Sequence, residues 1–303
     1  MIERLRKSYQ LAPPLLRGIA LVLLSSALFA SMHALVRHVS SGLHAFEIAF
    51  FRNLFGLVIM APLLIRAGPD RLKTHQPGLQ IARGIMGLLA MLTWFYGLSQ
   101  VPIAHATALS FTATLYATVG AAFFLSERMR LRRWTAVLVG FGGTLIVLQP
   151  GFLAIERGTL AVVFSSLCWG MSLVLIKKLS RTDSTVSIVG WMTIMLTLGS
   201  FPAAITVWAA PSAEQIAWLL LMGILGTLGH LASTAAFKLA DATALFPFDF
   251  MRLVWASLIG FLVFSEVPDI WTWVGGGVII ASASYITWRE TQVSQSKSVN
   301  RVE

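Results

Sequence analysis

The sequence predicts an all-α integral membrane protein with ten transmembrane helices arranged as two inverted five-helix repeats. Three observations carry that prediction: the composition, the spacing of the apolar segments, and an internal repeat. Of the 303 residues, 56% are hydrophobic and 12% charged, roughly half the charge fraction of a soluble domain. A bilayer accommodates that much apolar surface; water does not. The net charge of +10 would suggest nucleic acid in a soluble chain, but the charge sits in short loops between apolar segments. It is therefore a topology signal, and no nucleic-acid partner is expected. The single cysteine, Cys168, lies inside an apolar segment, which excludes an intrachain disulfide and a thiolate metal cluster.

Ten apolar segments follow one another at roughly 16–37, 45–65, 79–98, 103–125, 132–149, 158–177, 185–208, 214–237, 242–264 and 270–288. Each is close to the ~20 residues that cross a ~30 Å hydrocarbon core. Short connections with Gly, Pro, Ser or charge separate most of them. The first segment follows Arg4, Arg6 and Lys7, as a signal peptide would. Its apolar run continues to Val36 and recurs later in the chain, so it is expected to stay as a helix. No segment alternates in the manner of a barrel strand.

All Lys and Arg residues except Arg37, Arg157, Arg52 and Arg252 fall on one side of this alternating path, the side of the N-terminus. The bias predicts both termini in the cytoplasm and an inner-membrane location. Trp134, Trp208, Trp218, Trp271, Trp273 and Trp288 lie near segment ends and read as an interfacial belt.

The repeat appears when residues 1–150 are laid on 151–290, with a polar tail at 291–303. An offset of 140 sets Gly18 on Gly158, Ser25-Ser26 on Ser165-Ser166, Phe29 on Trp169, Arg37 on Lys177 and Pro62 on Pro202. An offset of 136 sets Gly87 on Gly223 and Ala106-Thr107-Ala108-Leu109 on Ala242-Thr243-Ala244-Leu245. After a small gap, Ser126-Glu127 and Trp134 meet Ser265-Glu266 and Trp273. Five helices per half make the two halves insert with opposite orientation, the arrangement of many secondary transporters and of some channels.

Several of these stretches resemble a known family. Arg52 and Gly56 match its first half. So do Arg83-Gly84-Ile85-Met86-Gly87 through Trp94-Phe95-Tyr96, Pro102-Ile103-Ala104, Ser110-Phe111-Thr112, Ser126-Glu127-Arg128, Arg132-Arg133-Trp134 and Gly140-Phe141-Gly142-Gly143. Pro247-Phe248-Asp249-Phe250-Met251-Arg252 with Ser265-Glu266 resembles its last repeat. Together, in order and spacing, they resemble the EamA family of the drug/metabolite transporter superfamily over nearly the whole chain. The resemblance implies ten helices, cytoplasmic termini and movement of small organic metabolites by alternating access. Its branches carry amino acids, vitamins such as riboflavin, S-adenosylmethionine or drugs, and the second-half segment looks nearest the vitamin and nucleoside-like branches. One departure is Thr114, where family members often have proline, which removes the reason to expect a kink there.

Ionisable residues inside the hydrocarbon cost about 2.5–3.5 kcal/mol each, so they are candidate site residues. Arg252 falls roughly 15 Å into the ninth segment, near the midplane, with Asp249 three residues back on the same face. The pair either locks helices together or faces a polar cavity, where Arg252 would hold a carboxylate or phosphate and Asp249 a proton or other coupling ion. Arg52 lies roughly 10 Å down the second segment and reads as an anchor or a substrate contact. His230 falls roughly 8 Å from the inner edge of the eighth segment, near the depth of Asp249. Trp94 and Tyr96 toward the outer side, and Trp169 and Trp255 near the midplane, either pack or stack on a flat substrate. Gly84, Gly87, Gly223, Gly226 and Gly229 recur every three residues and predict close helix packing. Pro247 predicts a bend beside Asp249.

No catalytic set, metal-ligand pattern or cofactor motif is found. There is no paired-aspartate or His-Glu zinc arrangement, and no Gly-x-x-x-x-Gly-Lys loop for ATP. An intramembrane enzyme would need a concentrated catalytic group, and a channel a ring of like residues. The expected partners are a small-molecule substrate and the lipid bilayer, with the protein a monomer or homodimer.

Overall fold

The computed structural model describes residues 13–68, 73–124, 131–149, 156–179, 182–183, 185–239, 245 and 248–299. Every regular element among them is a helix: α1 (Pro14–Val39), α2 (Ala45–Ala67), α3 (Pro77–Gln100), α4 (Ile103–Ser110), α5 (Thr112–Phe124), α6 (Leu131–Leu148), α7 (Arg157–Leu179), α8 (Thr185–Ile205), α9 (Ala213–Leu239), α10 (Met251–Phe264) and α11 (Ile270–Val299). Pro14 and Pro77 open α1 and α3, where a missing N–H costs nothing and φ is already helical. His44 caps α2, its Nδ1 accepting from the Phe46 N–H at 3.3 Å. Among the described residues, seven helical stretches are long and apolar enough to cross a membrane.

Two of the predicted spans are broken. α4 and α5 together make the fourth span, Ile103–Phe124, interrupted at Phe111. In the ninth, Leu245, Phe248 and Asp249 are helical, Phe250 is a turn and α10 follows. The kink left without a cause by Thr114 is therefore present three residues earlier, and no proline makes it. Thr114 N–H donates instead to Phe111 O at 3.2 Å. Pro247 lies outside the described residues.

The halves are interleaved. α1 packs along α9 and α7 along α3; α1 also meets α10, and α7 meets α5. Matching hydrogen bonds tie the first two pairs, Ser25 Oγ to Gly229 O at 2.9 Å and Ser165 Oγ to Ala90 O at 2.6 Å. Small residues also permit close approach of α9 to α2 and of α3 to α8. A Cβ on Gly223 would lie 2.8 Å from Phe55 Cβ, and one on Gly84 would overlap the side chain of Met195. α6 and α11 pair with each other at the side of the bundle, Gly143 facing Gly275.

Polar contacts cross between the halves at both ends. At the end remote from the N-terminus, Arg37 of α1 pairs with Glu266 at 3.1 Å, Glu266 accepts from the Ile103 N–H at 3.1 Å, and Arg37 donates to Leu98 O at 3.3 Å. At the other end, the carboxylate of Asp183, between α7 and α8, accepts from Thr74 Oγ, from His75 N–H at 3.0 Å and from Gln80 Nε2 at 2.9 Å.

Candidate functional site

A cavity of about 680 Å3 lies at the centre of the bundle, reached by α1, α2, α3, α5, α7, α8, α9 and the start of α10. That volume is within the range of small-molecule sites and would take a metabolite of drug size. Beyond it, toward the Arg37–Glu266 end, Val36, Leu98, Val101 and Ile103 have no more than 1% of their surface exposed. This end of the cavity is sealed.

The two broken spans meet at the cavity wall. Phe111 and Phe250 stand at the two breaks, and their rings touch edge to face at 4.8 Å. Arg252, in the first turn of α10, sets its guanidinium 5.2 Å above the Phe111 ring and pairs with Asp249 across the break at 3.5 Å. Residues 249 and 252, three apart in sequence, both line the cavity. The Arg252 Nε is buried with no protein acceptor.

Arg52 enters from α2. Its Nη1 donates to Asn53 Oδ1 at 2.9 Å, while its Nε has no protein acceptor. No carboxylate pairs with it among the described residues. Gly226 makes room for it, since a Cβ there would lie 2.6 Å from Arg52 Nη2. Two guanidinium groups thus line a cavity whose one carboxylate among the described residues, Asp249, is already shared with Arg252. The rest of the wall is mostly apolar, aliphatic and aromatic with Met91, Trp94, Phe95, Trp169 and Leu196, and carries the hydroxyls of Ser110, Thr114, Thr118, Ser165 and Ser233. His230 lines it too, edge to face with Phe29 at 4.9 Å.

Of the residues singled out in the sequence, Arg252, Asp249, Arg52, Trp94, Trp169, His230 and Gly87 come together here. Tyr96 does not; it packs against the hydrophobic core. Two residues on a helix are turned about 200° apart, so Trp94 facing the cavity sends Tyr96 the other way. Trp255, one turn beyond Arg252, is not in the wall either, and its indole nitrogen is buried without an acceptor. Gly223 and Gly226 serve helix and side-chain packing. His33 was not singled out, yet it lines the cavity with 7% of its surface exposed and accepts a hydrogen bond from Trp94 Nε1 at 3.3 Å. It is an ionisable residue type within a span, the same signal that drew attention to the arginines.

An interleaved helical bundle around a solute-sized, mostly apolar cavity with a few charged and hydroxyl groups, reached by two broken spans, defines a polytopic membrane protein with the layout of a carrier. The comparisons give the family. The sequence profile of the EamA-like transporter family matches twice, over residues 16–149 and 156–288, and the chain belongs to that family. The S-adenosylmethionine uptake transporter of Rickettsia bellii is 31% identical over 92% of this chain and 96% of its own length. The riboflavin transporter of Vibrio cholerae is 30% identical over 92% and 96%. A solved crystal structure with 17% identity superposes with a TM-score of 0.63, covering 91% of this chain and 99% of that one, and shares the fold. The protein is a multi-pass membrane transporter of small metabolites and not an enzyme.

Proposed function

We propose that the chain carries a metabolite with a planar ring and a carboxylate or comparable oxygen-rich group across the bacterial inner membrane, by alternating access. The observation that carries this reading is the imbalance of the cavity. Arg52 has no carboxylate partner among the described residues, and both guanidinium groups keep a buried Nε without a protein acceptor. Buried donors left unsatisfied are costly, and a bound group with acceptor oxygens removes that cost. Trp94 and Trp169 offer flat surfaces for a ring beside it.

S-adenosylmethionine and riboflavin, the compounds named for two relatives, both have fused planar rings with polar substituents, and they are the first two probes. Alternating access follows from the sequence repeat read as an inverted pair, with residues 1–150 and 151–290 as its two units and both termini cytoplasmic. The sealed Arg37–Glu266 end is then the periplasmic gate in its closed state. Asp249 is the group for a coupling proton, because it pairs with Arg252 and transport would bring a charged group between them.

The test is counterflow in proteoliposomes with a panel of the two probes and the common amino acids. Saturable exchange of one panel member is expected, with Arg252→Ala reducing its kcat/KM by roughly a hundredfold, the effect of losing a buried charge-assisted contact. Normal exchange by Arg252→Ala would remove the site assignment. Exchange by Asp249→Asn that is unchanged across pH would remove proton coupling through Asp249.

A further inference from the structure

His33 and Trp94 form a pair whose chemistry is fixed by elementary rules. The indole Nε1–H only donates, so the His33 Nε2 facing it at 3.3 Å is unprotonated. A neutral imidazole with a bare Nε2 carries its proton on Nδ1. The rings lie edge to face, with centroids 5.2 Å apart and planes at 68°, so Trp94 holds both the tautomer and the tilt. The His33 Nδ1 is buried, lines the cavity through its ring and meets no protein acceptor. It is the one uncharged nitrogen donor of this kind among the described cavity residues; the other two belong to Arg52 and Arg252.

We propose that His33 is a specificity-determining residue of the transport site: its Nδ1–H donates a single hydrogen bond to a carbonyl or carboxylate oxygen of the substrate, with Trp94 as the residue that positions it. This rests on the reading of the central cavity as the substrate site. The arginines attract negative charge wherever it sits in the cavity, and a neutral, directional N–H adds a requirement on where the acceptor atom lies. It favours an oxygen acceptor over an ammonium or a methyl group at the same place, since either would leave the donor unsatisfied. Trp94, which the sequence leaves as either a packing residue or a ring stacked on a flat substrate, directs its indole N–H to His33 and keeps its ring in the cavity wall.

Two measurements test it. In the first, 15N-histidine-labelled protein in lipid nanodiscs is examined by NMR at neutral pH, with the His33 signals assigned by loss in His33→Gln. A neutral ring protonated at Nδ1 is expected, with Trp94→Phe letting the proton redistribute between the two nitrogens. A ring protonated at Nε2, or on both nitrogens, overturns the proposal. In the second, counterflow of S-adenosylmethionine and of riboflavin is measured for wild type, His33→Phe, His33→Gln, Trp94→Phe and Arg252→Ala. For a probe that the wild type exchanges, His33→Phe should raise KM roughly tenfold with the maximal rate within about twofold, the size of one lost neutral hydrogen bond. His33→Gln, whose amide can donate, should recover part of that loss, and Trp94→Phe should raise KM by less than His33→Phe.

An unchanged KM in His33→Phe, with Arg252→Ala inactive, overturns the role of His33 and leaves the site standing. Normal exchange by both His33→Phe and Arg252→Ala overturns the cavity reading itself. Gel filtration of each variant reports folding, and if His33→Phe fails it, the NMR arm and His33→Gln still decide.

Discussion

Gly226 shows how a single residue in the packing serves the site. The guanidinium of Arg52 occupies the space where a side chain would be: a Cβ at 226 would lie 2.6 Å from Arg52 Nη2 and 2.9 Å from Met32 Sδ. For Gly223, one turn earlier on α9, the nearest atoms to an added Cβ are in α2, at Phe55 and Gly56. The two substitutions to alanine should therefore separate. Gly226→Ala should push the Arg52 head group aside and raise KM in counterflow roughly tenfold, with a small loss of thermal stability. Gly223→Ala should cost about 1–3 kcal/mol of stability by overpacking and change KM little, as read from a thermal melt of the detergent-solubilised protein beside the transport assay. The converse pattern would mean that the seat of Arg52 has no bearing on the site. The same contrast explains what could be read from the sequence. The arginines and Asp249 were conspicuous because an ion in hydrocarbon needs a reason. Which of two neighbouring aromatics faces inward depends on helix rotation, and that is set by partners far away in sequence, so Trp94 and Tyr96 were not separable. His33 carries no obligatory charge, and only the indole opposite it reveals that one of its nitrogens is unspent.

At the scale of elements, periodicity and hydropathy define nearly every helix but give no sign of the break at Phe111, whereas Pro247 points to a bend beside Asp249, next to the break at Phe250. Phe111 (φ −67°, ψ −17°) and Phe250 (φ −65°, ψ −15°) hold almost the same backbone conformation, and neither is proline or glycine. The two breaks meet ring against ring at the cavity wall, a contact between residues far apart in sequence. The clasp between the α2–α3 and α7–α8 connections is likewise non-local, joining Asp183 to residues more than a hundred positions away. Burial by itself would raise the Asp183 carboxyl, but the hydrogen bonds from Thr74, the His75 N–H, Gln80 and Thr182 outweigh it and hold the group below its usual range. A folded-state value depressed in this way gives stabilisation that is complete above the unfolded carboxyl pKa of ~3.9. It is lost as pH falls through the lower folded value. Asp183→Asn should therefore lower Tm at neutral pH, by about 1–3 kcal/mol of stability. The gap to wild type should close as pH is taken below about 4. A gap that stays constant down to acid pH would show that the charge of Asp183 contributes nothing.

For the whole molecule, the decisive feature is that the two sequence units are not two packing units. α1 of the first unit lies along α9 of the second, and α7 of the second along α3 of the first, each pair joined by a serine hydroxyl to a backbone carbonyl. Each unit separated from the other would expose the small-residue faces of α3 or α9 and lose the partner of its own first helix. Helix association in lipid depends on such close packing and on interhelical hydrogen bonds, because burial of apolar surface gives little drive there. A unit alone thus has no alternative contact of similar quality within itself. Residues 1–150 and 151–303, expressed separately, should each insert but run as heterogeneous aggregates on gel filtration after detergent extraction. Co-expressed, they should copurify as an equimolar complex, because the α1–α9 and α3–α7 interfaces re-form without the connecting segment. Arg252→Ala in the second fragment should leave that complex intact while lowering exchange in proteoliposomes by roughly the same hundredfold as in the whole chain, since the cavity contact it removes lies apart from both interfaces. A single fragment that is monodisperse and stable by itself would mean that each unit buries its own faces, and the carrier would then have to move by rocking two complete domains rather than by exchanging contacts between interleaved ones.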